Sequence, residues 1–79
     1  MKIREAIQKR IEQLCKEKNM TPYSLSYQSA IPSSTLKSIV NGKSKNPGIV
    51  NIKKIAEGFG ISIKEFFDSE LFDDLEQEE

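Results

Sequence analysis

TPYSLSYQSAIPSSTLKSIVN, residues 21–41, reads as two short helices separated by a tight corner. Thr21 followed by Pro22 is a helix start, because the hydroxyl caps the first amides and a proline there forfeits no hydrogen bond. A second helix opens at Pro32-Ser33 and closes at Asn41-Gly42, two residues that tolerate the left-handed conformation in which helices end. The corner falls at Ser29-Ala30-Ile31. Leu25, Ile31, Leu36, Ile39 and Val40 are the apolar positions, enough to bury one side of each helix and no more. The other side is left to Tyr, Ser, Gln, Thr and Lys.

Charge around this stretch is one-sided. No acidic residue occurs from Lys18 to Ala56, whereas Lys37, Lys43, Lys45, Lys53 and Lys54 fall within that span. A helix face of hydroxyls, amides and lysines without carboxylates suits phosphates and base edges, although it also describes an ordinary solvated face. Formal charge is zero over the whole chain, but residues 1–54 carry eleven Lys or Arg against Glu5, Glu12 and Glu17, or +8, leaving −8 for residues 55–79. Such asymmetry implies a basic working surface and an acidic tail.

A chain of 79 residues makes one domain with a modest core. Cys15 is the only cysteine and histidine is absent, which excludes an internal disulfide and removes the usual nucleophile and base pairings and zinc-ligand sets. No metal site, cofactor or enzymatic activity is therefore expected. The start of the chain is charged and amphipathic rather than signal-like, no apolar run is long enough to span a bilayer, and a reducing cytoplasm is the expected location.

From Ile3 to about Lys18, Ile3, Ile7, Ile11 and Leu14 recur at three- and four-residue steps, predicting an amphipathic first helix. Lys16 and Lys18 suit the negative end of its dipole. Asn19 is placed to end it, and Met20 to join the core. After the helical pair, GKSKNPG from Gly42 to Gly48 is a basic loop without regular structure. Ile49, Val50, Ile52, Ile55, Ala56 and Phe59 then form the interior side of a fourth helix ended by Gly58 and Gly60. Ser62 with Glu65 is a capping box for a fifth helix holding Ile63, Phe66 and Phe67. The segment after Asp68 is strongly acidic yet carries Leu71, Phe72 and Leu75, so it is either a packed helical extension or a frayed end.

Five helices with the second and third separated by a tight turn resemble the lambda-repressor-like, Cro/C1-type (XRE-family) helix-turn-helix domain of phage repressors and their bacterial relatives. The resemblance covers Ile7 to about Asp68. It is carried by Leu14, Met20-Thr21, Leu25, Ala30-Ile31, Thr35-Leu36, Ile39, Asn41-Gly42-Lys43, Pro47, Ile52, Ile55-Ala56, Phe59-Gly60-Ile61-Ser62-Ile63 and Phe66. The expected organisation is all-α, with residues 1–68 as the helix-turn-helix domain and 69–79 as an acidic tail or helix extension. In that family the third helix enters the major groove and the second crosses the backbone.

The resemblance implies base reading by Ser33, Ser34, Lys37 and Ser38. Serine pairs with several base edges, and Lys37 suits either guanine O6 and N7 or a phosphate. It implies phosphate contacts from Thr21, Tyr23 and Ser24 at the start of the second helix, from Gln28 and Thr35, and from Asn41, Lys43 and Lys45. Tyr27 is a weaker candidate. The chain departs from the family at three places. Pro22 replaces a glutamine that bonds a phosphate and a recognition-helix partner. Ala30 replaces the usual turn glycine. Cys15 and Val40 replace both members of a buried ion pair between the first helix and the end of the third, a swap often neutral or stabilising that makes Cys15 a buried packing residue.

The implied function is a sequence-specific DNA-binding transcriptional regulator, a small phage, plasmid or mobile-element repressor. It would act as a homodimer on a palindromic double-stranded operator with half-sites roughly 34 Å apart. Phe67, Leu71, Phe72 and Leu75 are the expected dimerisation surface. The alternative is a helix-turn-helix scaffold used as a protein-interaction module, antitoxin-like or anti-repressor, with weak or no DNA binding.

Overall fold

The computed structural model describes residues 1–78, so Glu79, the last residue of the acidic segment, lies outside the described residues. Five α-helices run α1 (Ile3–Glu17), α2 (Pro22–Ser29), α3 (Ser33–Val40), α4 (Ile49–Gly58) and α5 (Ile63–Phe67), followed by a single 3-10 turn at Glu70–Phe72. There is no strand among the described residues.

Each boundary has a local cause. Glu5 accepts the Lys2 amide at 3.3 Å where α1 begins, and Asn19 takes φ 54° after it ends. Thr21 Oγ1 accepts the Ser24 amide at 3.1 Å and so caps α2. Ser62 and Glu65 exchange the two bonds of a capping box, each 3.1 Å long, at the head of α5. Gly42, at φ 72°, ends α3, with the amides of Lys43 and Ser44 folding back onto the Ser38 carbonyl. At this glycine an added Cβ would also lie 2.7 Å from Gln8 Oε1 on α1.

The corner between α2 and α3 is left-handed without a glycine: Ala30 sits at φ 58°, ψ 33°. Ser26 Oγ, one turn back, donates to the Ile31 carbonyl at 2.8 Å and fastens the corner from inside. For alanine this conformation costs roughly 1 kcal/mol, a strain that glycine escapes. Ala30→Gly should raise the melting temperature by a few degrees, at about 4–8 °C per kcal/mol for a domain of this size, less the entropy glycine loses on folding. A lower melting temperature with unchanged circular dichroism would mean that the corner stores no strain.

One core gathers the inward stripes of all five helices, with Ile11, Leu25, Leu36, Ile55 and Phe66 its largest fully buried side chains. The most extensive helix pairing is α2 on α4. It is close because Gly58 has no side chain: a Cβ there would fall 3.0 Å from Ser29 Cβ and 3.2 Å from Leu25 Cδ1. Gly58 therefore serves approach inside the last turn of α4, and Gly60, at φ 76°, follows the helix as its left-handed terminator.

Two further placements differ from the reading of the sequence. Ile49 and Val50 are each 64% exposed rather than interior. They form the first turn of α4, ahead of the buried stripe Ile52, Ile55, Ala56 and Phe59. Cys15 is half-buried, packed on the core from one side as Val40 is, in a region where α1 and α3 meet. Burial, with Glu12 adding to it, raises the thiol pKa above its ordinary value, so less thiolate is present at any pH near neutrality. Alkylation of native Cys15 at pH 8 should run slower than that of free cysteine. An equal rate would place the thiol outside the packing.

Arg10 supplies the main polar link across the domain. Its Nε donates to the Phe66 carbonyl at 2.7 Å and its Nη2 to the Glu65 carbonyl at 2.8 Å, covering the carbonyl end of α5 with positive charge. Beyond α5 the acidic segment packs back rather than fraying, and it is helical only for the one 3-10 turn. Phe72 meets Phe67 edge-on at 4.9 Å between ring centres. The Glu76 amide donates to the Met1 carbonyl at 3.0 Å, and the Met1 amine pairs with the Glu76 carboxylate at 3.1 Å.

Candidate nucleic-acid interface

On α3 the buried positions are Leu36 and Ile39, spaced so that the remaining residues divide into an inner stripe and an outer one. Ser33, Ser34, Lys37 and Ser38 are all exposed, and none is covered by the protein's own chain. Thr35, also expected to meet phosphate, is half-buried. Pro32 precedes the helix and offers no side-chain cap, leaving the first-turn amides of α3 available to an outside acceptor. The outer stripe is thus a rigid row of short hydroxyls around one ammonium group.

The flanks hold the expected phosphate ligands in different states. Asn41, Lys43 and Lys45 are exposed, and the bonds from the Lys43 and Ser44 amides to the Ser38 carbonyl, 3.0 and 3.2 Å long, hold the start of the basic loop against the end of α3. Asn51 Nδ2 donates to the Pro47 carbonyl at 2.9 Å and secures the far end of that loop. At the head of α2, Thr21 and Ser24 are exposed but already bonded to each other, Oγ to Oγ at 3.1 Å. Thr21 has spent its proton as well as its cap, so the Ser24 hydroxyl proton and the Tyr23 amide are the donors left there. Tyr23 is 79% exposed and Tyr27 81%, one helical turn apart on the same face, and Gln28 is exposed beside them.

Between the two helices lies an apolar cleft of about 320 Å³. Pro22 and Tyr23 border it on α2, Leu36 and Val40 lie beneath, and Ser33, Lys37 and Asn41 rim it on α3. The cleft therefore lies between Tyr23, an expected backbone-holding residue on α2, and the expected base-reading residues Ser33 and Lys37 on α3, with Asn41 at the end of the same rim.

A family model described as the Cro/C1-type HTH DNA-binding domain matches residues 10–70. The chain belongs to that family. No match was found among curated proteins or among solved structures. As a Cro/C1-type domain it presents the outer stripe of α3 to solvent, and its surface charge runs the right way for DNA: the five lysines between Lys37 and Lys54 are exposed. Only Lys53 among them has a carboxylate partner among the described residues, Glu57 at 3.3 Å, and that exposed pair contributes little.

Phe67, Leu71, Phe72 and Leu75, the expected dimerisation residues, are all half-buried. Phe67 and Phe72 spend part of their surface on the domain's own core, leaving Leu71 and Leu75 the less committed. Among the described residues no helix is long and apolar enough to cross a membrane, and no group of three or more acidic or cysteine side chains is placed to hold a metal ion. Three residues that order the fold escaped sequence reasoning: Ser26 and Asn51 beside the interface, and Arg10 bonded to α5. For Ser26 and Asn51 the signal is a short-range side-chain to backbone bond, a habit of both residue types that is readable in principle. Arg10 bonds carbonyls more than fifty positions away, and nothing local announces it.

Proposed function

We propose that this chain is a sequence-specific transcriptional regulator, a repressor of the small phage, plasmid or mobile-element kind, that occupies an operator by setting α3 into the major groove. The observation that carries the reading is the uncovered row Ser33, Ser34, Lys37 and Ser38, flanked by unopposed lysines and free of carboxylates. In this reading the four read base edges, while Tyr23, Ser24, Gln28, Asn41, Lys43 and Lys45 hold phosphates, with Thr21 and Thr35 in supporting positions. Two copies bind a palindrome, pairing through Phe67, Leu71, Phe72 and Leu75. Asp68, Glu70, Asp73 and Asp74 surround that surface with like charge, which favours pairing on DNA over pairing in free solution. The regulator acts in the cytoplasm, at the nucleoid.

A mobility-shift titration with duplex DNA across a range of salt concentrations tests this directly. Binding should appear in two steps on a palindromic site and weaken steeply with salt, because each neutralised phosphate releases counterions. Absence of binding even at low salt would favour the second reading, a protein-interaction module on the same scaffold. The observation favouring that second reading is the exposed apolar set Ile49, Val50 and Tyr27, which the DNA contacts leave unused.

A further inference from the structure

We infer that the apolar cleft between α2 and α3 receives the C5-methyl group of a thymine, together with the edge of its deoxyribose, and so fixes a thymine in the operator half-site; this rests on the DNA-binding reading above. The cleft's position is the first argument. Its rim on α3 includes Ser33 and Lys37, which point at base edges in that reading, and its border on α2 includes Tyr23 at the backbone-holding end. Whatever enters it lies between the bases and the sugar-phosphate chain of one strand.

The chemistry of the lining is the second argument. In the major groove the thymine methyl is the only apolar group that a base pair presents; every other marker there is a hydrogen-bond donor or acceptor. Pro22 has neither a side-chain donor nor an amide hydrogen, Leu36 and Val40 are hydrocarbon, and Tyr23 contributes its ring. The hydroxyl nearest the floor, Ser26 Oγ, is committed to the Ile31 carbonyl at 2.8 Å. A cytosine amino group or a purine nitrogen set against Pro22, Leu36 and Val40, below the polar rim of Ser33, Lys37 and Asn41, would lose water and meet only hydrocarbon, whereas a methyl group loses nothing there. The serines on α3 discriminate weakly among bases, so an apolar reader beside them supplies selectivity that hydroxyls alone do not. At about 320 Å³ the cleft is too large for a methyl group by itself and has room for the sugar edge as well.

The test uses the full chain and a duplex recovered by repeated selection from a random DNA pool. Each thymine of a half-site is replaced in turn by uracil, which removes the methyl group and leaves every hydrogen-bonding edge intact. One thymine per half-site should prove sensitive, with uracil binding about three- to fourfold weaker, the worth of one buried methyl group. In Val40→Thr, which keeps the shape of the floor but adds a hydroxyl, that preference should fall toward unity while thermal melting verifies the fold. Uracil tolerated at every position, a selected half-site without thymine, or a preference unaltered in Val40→Thr would each overturn the inference while leaving DNA binding in place. Recovery of no duplex at all would overturn it along with the regulator reading.

Discussion

Alanine at both Lys43 and Lys45 is expected to weaken duplex binding about 30-fold at 0.15 M salt and to lower the slope of log affinity against log salt by about 1.8. The magnitude follows from counterion release. Each phosphate neutralised contributes roughly 0.9 to the slope, so two lost contacts, extrapolated from 1 M salt where this contribution vanishes, amount to about one and a half decades at 0.15 M. Both lysines are exposed and neither has a carboxylate partner among the described residues, so no internal ion pair is lost with them and stability should hardly change. What makes them more than solvated charges is the loop: its first amides are bonded to the Ser38 carbonyl, which holds the Lys43 backbone beside the end of α3. An unchanged salt slope in the double variant would show that the loop stands clear of the DNA backbone.

Phe66→Ala is expected to remove about 3–5 kcal/mol of stability. A domain of this size has only about 4–12 kcal/mol in total, so the variant should melt at least ~12 °C lower and lie near unfolding at physiological temperature. Phe66 is fully buried, and its ring meets Phe67 edge-on at 5.1 Å and lies 6.4 Å from that of Phe72. Its carbonyl is one of the two that Arg10 holds. Truncation therefore empties the junction of α1, α5 and the acidic segment at once, and the gap cannot close without moving α5, which packs on α4, the helix that backs α2. Urea denaturation measures the loss. A cost under about 1 kcal/mol would mean that the aromatic cluster is peripheral to the core.

Much of this architecture is legible along the chain because its punctuation is local. Thr21-Pro22, Asn41-Gly42 and the Ser62 to Glu65 box each act within four residues, and the helices begin and end where those signals stand. The apolar stripes are equally local, and they separate inner from outer positions on α3 correctly, which is why its exposed row is legible in the chain alone. Periodicity says which side of a helix is apolar but not how much of its length is covered, and Ile49 and Val50 were misplaced for that reason. Long-range closure is a second blind spot. The bonds from Arg10 to α5 and from Glu76 to Met1 join residues that no local pattern relates, so the path of the acidic segment could not be read. The cleft is a third. It is a space left between Pro22 and Val40 by the angle of two helices, and a space has no sequence signature.

The claim on which the rest depends is that the outer row of α3 is the surface that meets DNA. Titrating the isotopically labelled protein with a selected duplex and following backbone amide resonances tests it residue by residue. The largest shifts should fall on Ser33, Ser34, Lys37 and Ser38, with a second group from Asn41 to Lys45 and a third at Tyr23 and Ser24. Shifts gathered on α5 and the acidic segment, with the α3 amides unmoved, would contradict the account.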